Sequence, residues 1–217
     1  MNLEKARFNM VEQQIRPWQV LDPQVLHVLS NVQRELFVPA PYQALAYTDT
    51  DIPLGHGQEM VPPRIDARLM HDLQLSSQDK VLDIGTGSGY LAALLAARAE
   101  RVISLEINPE LAQQARQNLQ RAGVTNVDVR VADGSQGAAA DGPFDAIVLG
   151  GSVAEVPKAL LEQLKLKGRL IAIVGTEPIM TATLFTRTGE ASWTTQALWD
   201  TQAPRLQGFA EPSRFHF

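Results

Sequence analysis

Residues 81–89, Val-Leu-Asp-Ile-Gly-Thr-Gly-Ser-Gly, constrain the fold of this 217-residue chain more than any other stretch. An apolar run, Lys80 to Ile84, leads into three alternating glycines, Gly85, Gly87 and Gly89, and a helical run follows from Tyr90 to Arg98. Glycine at these positions lets the backbone turn tightly and lets a ligand approach without Cβ atoms in between. A second apolar run, Arg101 to Leu105, ends in Glu106, placed to hydrogen-bond a ribose diol. A dinucleotide fingerprint would need Gly-x-Gly-x-x-Gly, and its third glycine would fall where Tyr90 stands.

From Lys80 onward strands and helices alternate. The pattern predicts strands over 80–84, 101–105, 127–131, 144–149 and 168–174, and helices over 90–98, 109–121 and 155–164. This is the signature of an α/β, doubly wound and mostly parallel sheet. After residue 180 the runs Thr181 to Arg187 and Trp193 to Leu198 flank Thr188-Gly189-Glu190, which predicts a terminal antiparallel hairpin. Residues 1–78 form an N-terminal extension of helices and loops packed on the core of 79–217, one structural domain overall. Met10 to Ile15 is read as a short helix. Asp22 is an N-cap with Pro23 at the first helical position of a helix through Val32. Another helix spans Pro63 to Leu73, with Ile65, Leu69 and Leu73 spaced by four. Between them Pro39 to Pro62 is a long Pro-, Gly- and Asp-rich segment; loops of that length in compact domains are usually functional or disordered, and His56, Gln58 and Glu59 favour functional.

Composition narrows the function classes. A net charge of −5 gives no broad nucleic-acid footprint. No apolar run approaches the roughly 18 residues of a membrane span, and Met1 to Met10 lacks the apolar segment of a secretory signal. The expectation is therefore a cytoplasmic protein without nucleic-acid or membrane partners. With no cysteine there is neither a disulfide nor a thiolate nucleophile. His27, His71 and His216 lie apart from one another, and no cluster has metal-ligand spacing, so no metal is expected. Trp18, Trp193 and Trp199 read most simply as core or surface-covering aromatics.

Gly-x-Gly-x-Gly with Asp83 two residues ahead resembles motif I of the class I S-adenosylmethionine methyltransferases, a Rossmann-like fold. Gly55-His56-Gly57-Gln58 followed by Pro63, Ala67 and Arg68 is similar to the Gly-x-Gly-Gln-Thr-Ile-Ser-x-Pro-x-x-x-Ala-Arg-Met signature of protein-L-isoaspartate O-methyltransferases. Arg34-Glu35-Leu36-Phe37-Val38-Pro39, Asp133-Gly134 with Gln136-Gly137, and Pro143-Phe144-Asp145-Ala146-Ile147 resemble further segments of that family. The resemblance implies a monomer that uses S-adenosyl-L-methionine to methylate isoaspartyl carboxylates in damaged proteins or peptides. It also implies that Gly85, Gly87 and Gly89 hold the cofactor, with Asp83 organising the loop. Glu106 would bind the ribose, and Asp133 with Gly134 would lie by the adenine.

The acceptor end departs from the pattern. Where the family has Thr-Ile-Ser, this chain has Glu59-Met60-Val61. Val61 brings no hydroxyl, and Glu59 brings an anion that repels a carboxylate by about 1 kcal/mol in water at contact. Glu59, Val61 and His56 are the candidate residues at the reacting end, and slow isoaspartyl transfer is the expectation. Two alternatives stay open at this point: another acceptor, with Glu59 as general base, or cofactor binding without catalysis.

Overall fold

The computed structural model describes residues 2–211. In chain order the helices are α1 (Leu3–Met10), α2 (Pro23–Asn31), α3 (Pro63–Leu73), α4 (Tyr90–Ala96), α5 (Pro109–Arg121) and α6 (Lys158–Glu162). The strands are β1 (Ile52–Gly55), β2 (Gln58–Met60), β3 (Lys80–Ile84), β4 (Arg101–Glu106), β5 (Val127–Val131), β6 (Phe144–Val153), β7 (Leu164–Thr176), β8 (Ile179–Gly189) and β9 (Ser192–Thr201).

Seven strands form one sheet in the order β5-β4-β3-β6-β7-β8-β9. The β3–β4, β4–β5, β3–β6 and β6–β7 pairs are parallel, and β8 runs antiparallel to both β7 and β9. The expected α/β sheet with a terminal hairpin is therefore present. The strands at its centre are continuous apolar runs because helices cover both faces. Val81, Val102, Ala146 and Ile171 pack toward α3 and α4, and Leu82, Ile103, Ile147 and Leu170 pack on the opposite side. The N-terminal segment shares a third buried cluster with the sheet domain: Met10, Ile15, Leu29 and Phe37 pack with Tyr90, Leu94 and Leu111.

Several local expectations are corrected. The first helix begins at Leu3, not Met10, because Asn2 caps it by accepting from the Lys5 amide at 3.0 Å; the chain then widens into a π-turn over Val11–Ile15. The helix expected over 155–164 is only Lys158–Glu162. β7 takes up its last position, Leu164, and residues 155–157 form an irregular link from the end of β6 at Val153. The segment 39–62 is not structureless. It holds a 3₁₀ turn, Ala40–Leu45, and the antiparallel β1–β2 hairpin, whose tip Gly55-His56-Gly57 has φ of 87°, 55° and 70°. His216 lies outside the described residues.

Candidate functional site

β3 is flanked by β4 on one side and β6 on the other, so successive connections leave it in opposite directions. Such a switch point opens a crevice at the carboxyl ends of the strands. The loop Gly85–Gly89 leaves β3 there, and the Gly85 and Thr86 amides donate to the Leu105 carbonyl at 2.8 and 3.3 Å. The Gly87 amide donates to Glu106 Oε2 at 2.8 Å, and the Asn108 amide donates to Glu106 Oε1 at 3.0 Å. Asn108 also caps α5, accepting from the Glu110 and Leu111 amides. Glu106 is thus no solvated strand-end charge: it is 5% exposed and fixed between two loops.

A cleft of about 580 Å³, counted to its open mouth, lies over these groups. Its floor is Ile84, Gly85, Gly87 and Glu106, and Gly134, Gly150 and Gly151 form one side. Leu54, Gln58 and Glu59 of the hairpin cover it, and Pro204, Leu206 and Phe209 close the remaining wall. Glycine is required on this floor. A Cβ at Gly85 would lie 2.5 Å from Leu206 Cδ2, and one at Gly134 would lie 2.3 Å from Ile84 Cγ2. Gly85 and Gly87 also sit at φ of 91° and 52°, where side chains are disfavoured.

A smaller recess of about 320 Å³ adjoins the cleft, sharing Leu54, Glu59, Gly85, Gly87 and Gly150 with it. It runs inward to Val61, Asp66 and Tyr90. Here the buried electrostatics concentrate. Arg34 is fully buried, donates from Nη1 and Nη2 to the Ala46 and Val61 carbonyls at 2.6 Å each, and lies 5.3 Å from the Tyr90 ring centroid. Burial lowers its pKa, opposed first by the field of Asp66. Asp66 itself is pushed up to about 7 by burial, with Arg34 opposing and Asp83 adding to the rise. Asp83 is also pushed up to about 7 by burial, although Ser104 Oγ donates to its Oδ2 at 2.6 Å.

Of the residues singled out in sequence, the structure brings Gly85, Gly87, Glu106, Gly134 and Glu59 together around the cleft, and Val61 into the recess. Four others lie off these walls. Asp83 is behind the glycine loop and reaches it through Ser104, whose hydroxyl is 2.5 Å from Thr86 Oγ1. Gly89 is the N-cap of α4 and packs against Ala115 of α5. Asp133 accepts from the Ser135 amide at 2.9 Å, capping its own turn beside Gly208. His56 points away at the hairpin tip, with Nε2 3.2 Å from Glu110 Oε2. Among the described residues no group of three or more His, Asp or Glu is placed to hold a metal ion.

Sequence reasoning missed Arg34, Asp66 and the 204–209 wall. Asp66 carried a signal: it stands among Ile65, Ala67, Leu69 and Met70 on the buried side of α3, where a carboxylate breaks the apolar pattern. The 204–209 wall carried only a faint one, the loose echo of a family segment in Gln202-Ala203-Pro204-Arg205-Leu206. In the fold the Ser152 amide and hydroxyl donate to the Pro204 and Ala203 carbonyls, and Arg205 donates to the Gly175 carbonyl.

A family model described as protein-L-isoaspartate(D-aspartate) O-methyltransferase (PCMT) matches residues 5–202. The chain belongs to this family. Among similar PCMT-family proteins, the protein-L-isoaspartate O-methyltransferase of Methanoculleus marisnigri is 46% identical over 171 residues, 79% of this chain and 78% of that protein. Protein-L-isoaspartate O-methyltransferase 2 of Marinobacter nauticus is 46% identical over 176 residues, covering 81% and 80%. A crystal structure of a Plasmodium falciparum PCMT in complex with S-adenosyl-L-homocysteine superposes with a TM-score of 0.78, covering 94% of this chain and 97% of that one. At 22% identity that likeness supports the fold, which is the Rossmann-like methyltransferase fold expected from the sequence.

Proposed function

We propose that this chain transfers the methyl group of S-adenosyl-L-methionine to the carboxylate of isoaspartyl residues in proteins and peptides. The observation that carries the reading is the buried Glu106 carboxylate on the wall of a glycine-floored cleft, in a chain of the PCMT family. The residues present fit the cofactor. Gly85, Gly87 and Gly134 line the cleft with bare backbone that a ligand can approach, and Glu106 keeps a second lone pair on each oxygen for a diol. Asp133 and Gly134 serve the adenine end, and Asp83 acts at one remove, through Ser104 and Thr86. Gly89 supports the loop by starting α4.

When bound, the cofactor supplies an electrophilic methyl on a positively charged sulfur. The chain's part is to bind, orient and exclude water. An isoaspartyl carboxylate has a pKa of about 4 and is ionised at neutral pH, so no general base is required. Holding its oxygen in line behind the methyl is the main contribution, an effect worth several kcal/mol. The β1–β2 hairpin covers the cleft and, with Val61 and Glu59, borders the acceptor recess; His56 latches its tip to Glu110. The chain works as a monomer in the cytoplasm; no helix among the described residues is long and apolar enough to cross a membrane.

Transfer of tritium from labelled cofactor to an isoaspartyl peptide, but not to its aspartyl counterpart, is the expected result. Transfer to neither, with S-adenosyl-L-homocysteine still bound by calorimetry, would overturn the substrate. Absence of that binding would overturn the cofactor.

A further inference from the structure

The recess that would receive the acceptor lacks a hydrogen-bond donor at its most obvious positions. Val61 has no hydroxyl, and Glu59 at the mouth is an exposed carboxylate. Arg34 cannot supply the donor from its terminal nitrogens, because Nη1 and Nη2 are committed to the Ala46 and Val61 carbonyls. The closed end holds two protic side chains, Asp66, 4% exposed, and Tyr90, with the Thr86 and Ser88 hydroxyls on the loop side. Resting on the substrate reading above, we propose that the Asp66 carboxyl, in its neutral form, donates the hydrogen bond that holds the acceptor carboxylate beside the Gly85–Gly87 wall.

Charge balance supports a proton on Asp66. Arg34 is the one buried cation among the described residues and it opposes Asp66, which also stands in the field of Asp83, itself beside the buried Glu106. Three carboxylates near one guanidinium would leave a net buried anion, which is expensive in a low-dielectric interior. Asp83 accepts the Ser104 hydroxyl at 2.6 Å, which favours its ionised form, whereas no hydrogen bond contributes at Asp66. Of the two, Asp66 is therefore the one that keeps its proton longer as pH rises, and its pKa of about 7 places that loss within reach of ordinary assay conditions. The groups facing Asp66 are Arg34 from the loop after α2, Asp83 from β3 and Tyr90 from α4, with Glu59 of β2 across the recess. Tyr47 and Asp49 act on it only through Arg34, and Glu106 through Asp83. The Tyr90 hydroxyl, buried and without a partner, is the competing donor, but burial raises its pKa far above the assay range. It cannot give a pH-dependent loss near neutrality.

The test compares the parent chain with Asp66→Asn and Asp66→Ala between about pH 5.5 and 8.5, using an isoaspartyl peptide and measuring kcat and KM separately. The parent's kcat/KM should fall about tenfold per pH unit above the Asp66 pKa. Asp66→Asn keeps an N–H donor at every pH and should lose that fall. Asp66→Ala should lower kcat/KM about tenfold or more at pH 6, while S-adenosyl-L-homocysteine affinity stays within about threefold. A second measurement needs no variant. At pH 8, calorimetry of the peptide binding the S-adenosyl-L-homocysteine complex, in buffers of different ionisation enthalpy, should show net proton uptake. No uptake, or a parent-like pH profile in Asp66→Asn, overturns the role of Asp66 while leaving the substrate reading intact. A parent that binds S-adenosyl-L-homocysteine yet methylates no isoaspartyl peptide at any pH overturns the substrate reading and this inference with it.

Discussion

Glu106 carries two loads at once, since it accepts from the Gly87 and Asn108 amides and also borders the cleft. Glu106→Ala removes a charge-assisted contact worth about 1.5–3 kcal/mol, so S-adenosyl-L-homocysteine should bind roughly 10- to 150-fold more weakly by calorimetry. Parent-like affinity in that variant would sink the ribose assignment. Gly134 makes a purely steric test, because its φ is not in the left-handed region and an added Cβ meets Ile84 Cγ2 at 2.3 Å. Gly134→Ala should destabilise the fold by about 1–3 kcal/mol, as overpacked cores do, read from denaturant midpoints. Asp66 and Asp83 set the direction of the pH dependence. Their folded-state pKa values, each about 7, lie above the ordinary 3.8, so the native state holds more protons than the unfolded chain between these limits. The stability they contribute is full below about pH 4 and is lost as pH rises through 7. Asp83→Asn should flatten that decline in urea midpoints measured from pH 5 to 8.

At the scale of elements, the starts of α2 to α5 were legible in the sequence. Asp22 accepts from the Gln24 amide at 2.8 Å with Pro23 following, and α3 spans Pro63–Leu73 as its apolar spacing predicts. Such signals are local, because a cap bonds within three residues and a stripe repeats within one turn. The β1–β2 hairpin was hidden for the opposite reason. Its strands have four and three residues, and its tip uses consecutive left-handed residues including His56. As a cover over the cofactor cleft, this hairpin should be cut by a protease in the free protein and protected when S-adenosyl-L-homocysteine is added. Equal cutting with and without ligand would mark it as an ordinary surface loop.

Over the whole molecule, Arg34 ties the N-terminal segment to the sheet. It bonds the Ala46 and Val61 carbonyls and stacks over Tyr90, while Met10, Leu29 and Phe37 join Tyr90 and Leu94 in one buried cluster. Arg34→Ala leaves two carbonyls without their donor and Asp66 without its cation. Losses of about 3–5 kcal/mol are usual when one partner of a buried charge arrangement is removed. If residues 2–78 and the sheet form one cooperative unit, Trp18 and Trp199 fluorescence should report a single urea transition in the parent. Two separated transitions would make the extension an independent unit.

The sequence by itself determined the glycine-floored cleft of this protein, because a strand, three alternating glycines, a helix and a terminal carboxylate are contiguous within residues 80–106. Their geometry follows from short-range rules, and the structure places Gly85, Gly87 and Glu106 around one cleft. Family membership was legible in the same way, through motifs that survive as short strings. Tertiary structure alone decided the recess. There Arg34, Val61 with Asp66, and Asp83 with Tyr90 meet from three separate stretches of chain, and the 204–209 segment closes the cleft from far downstream. The charge state of that cluster is a property of burial. Asp66 would titrate as an ordinary carboxyl in the unfolded chain, and it acquires its altered protonation only when the fold removes its water and sets Asp83 beside it.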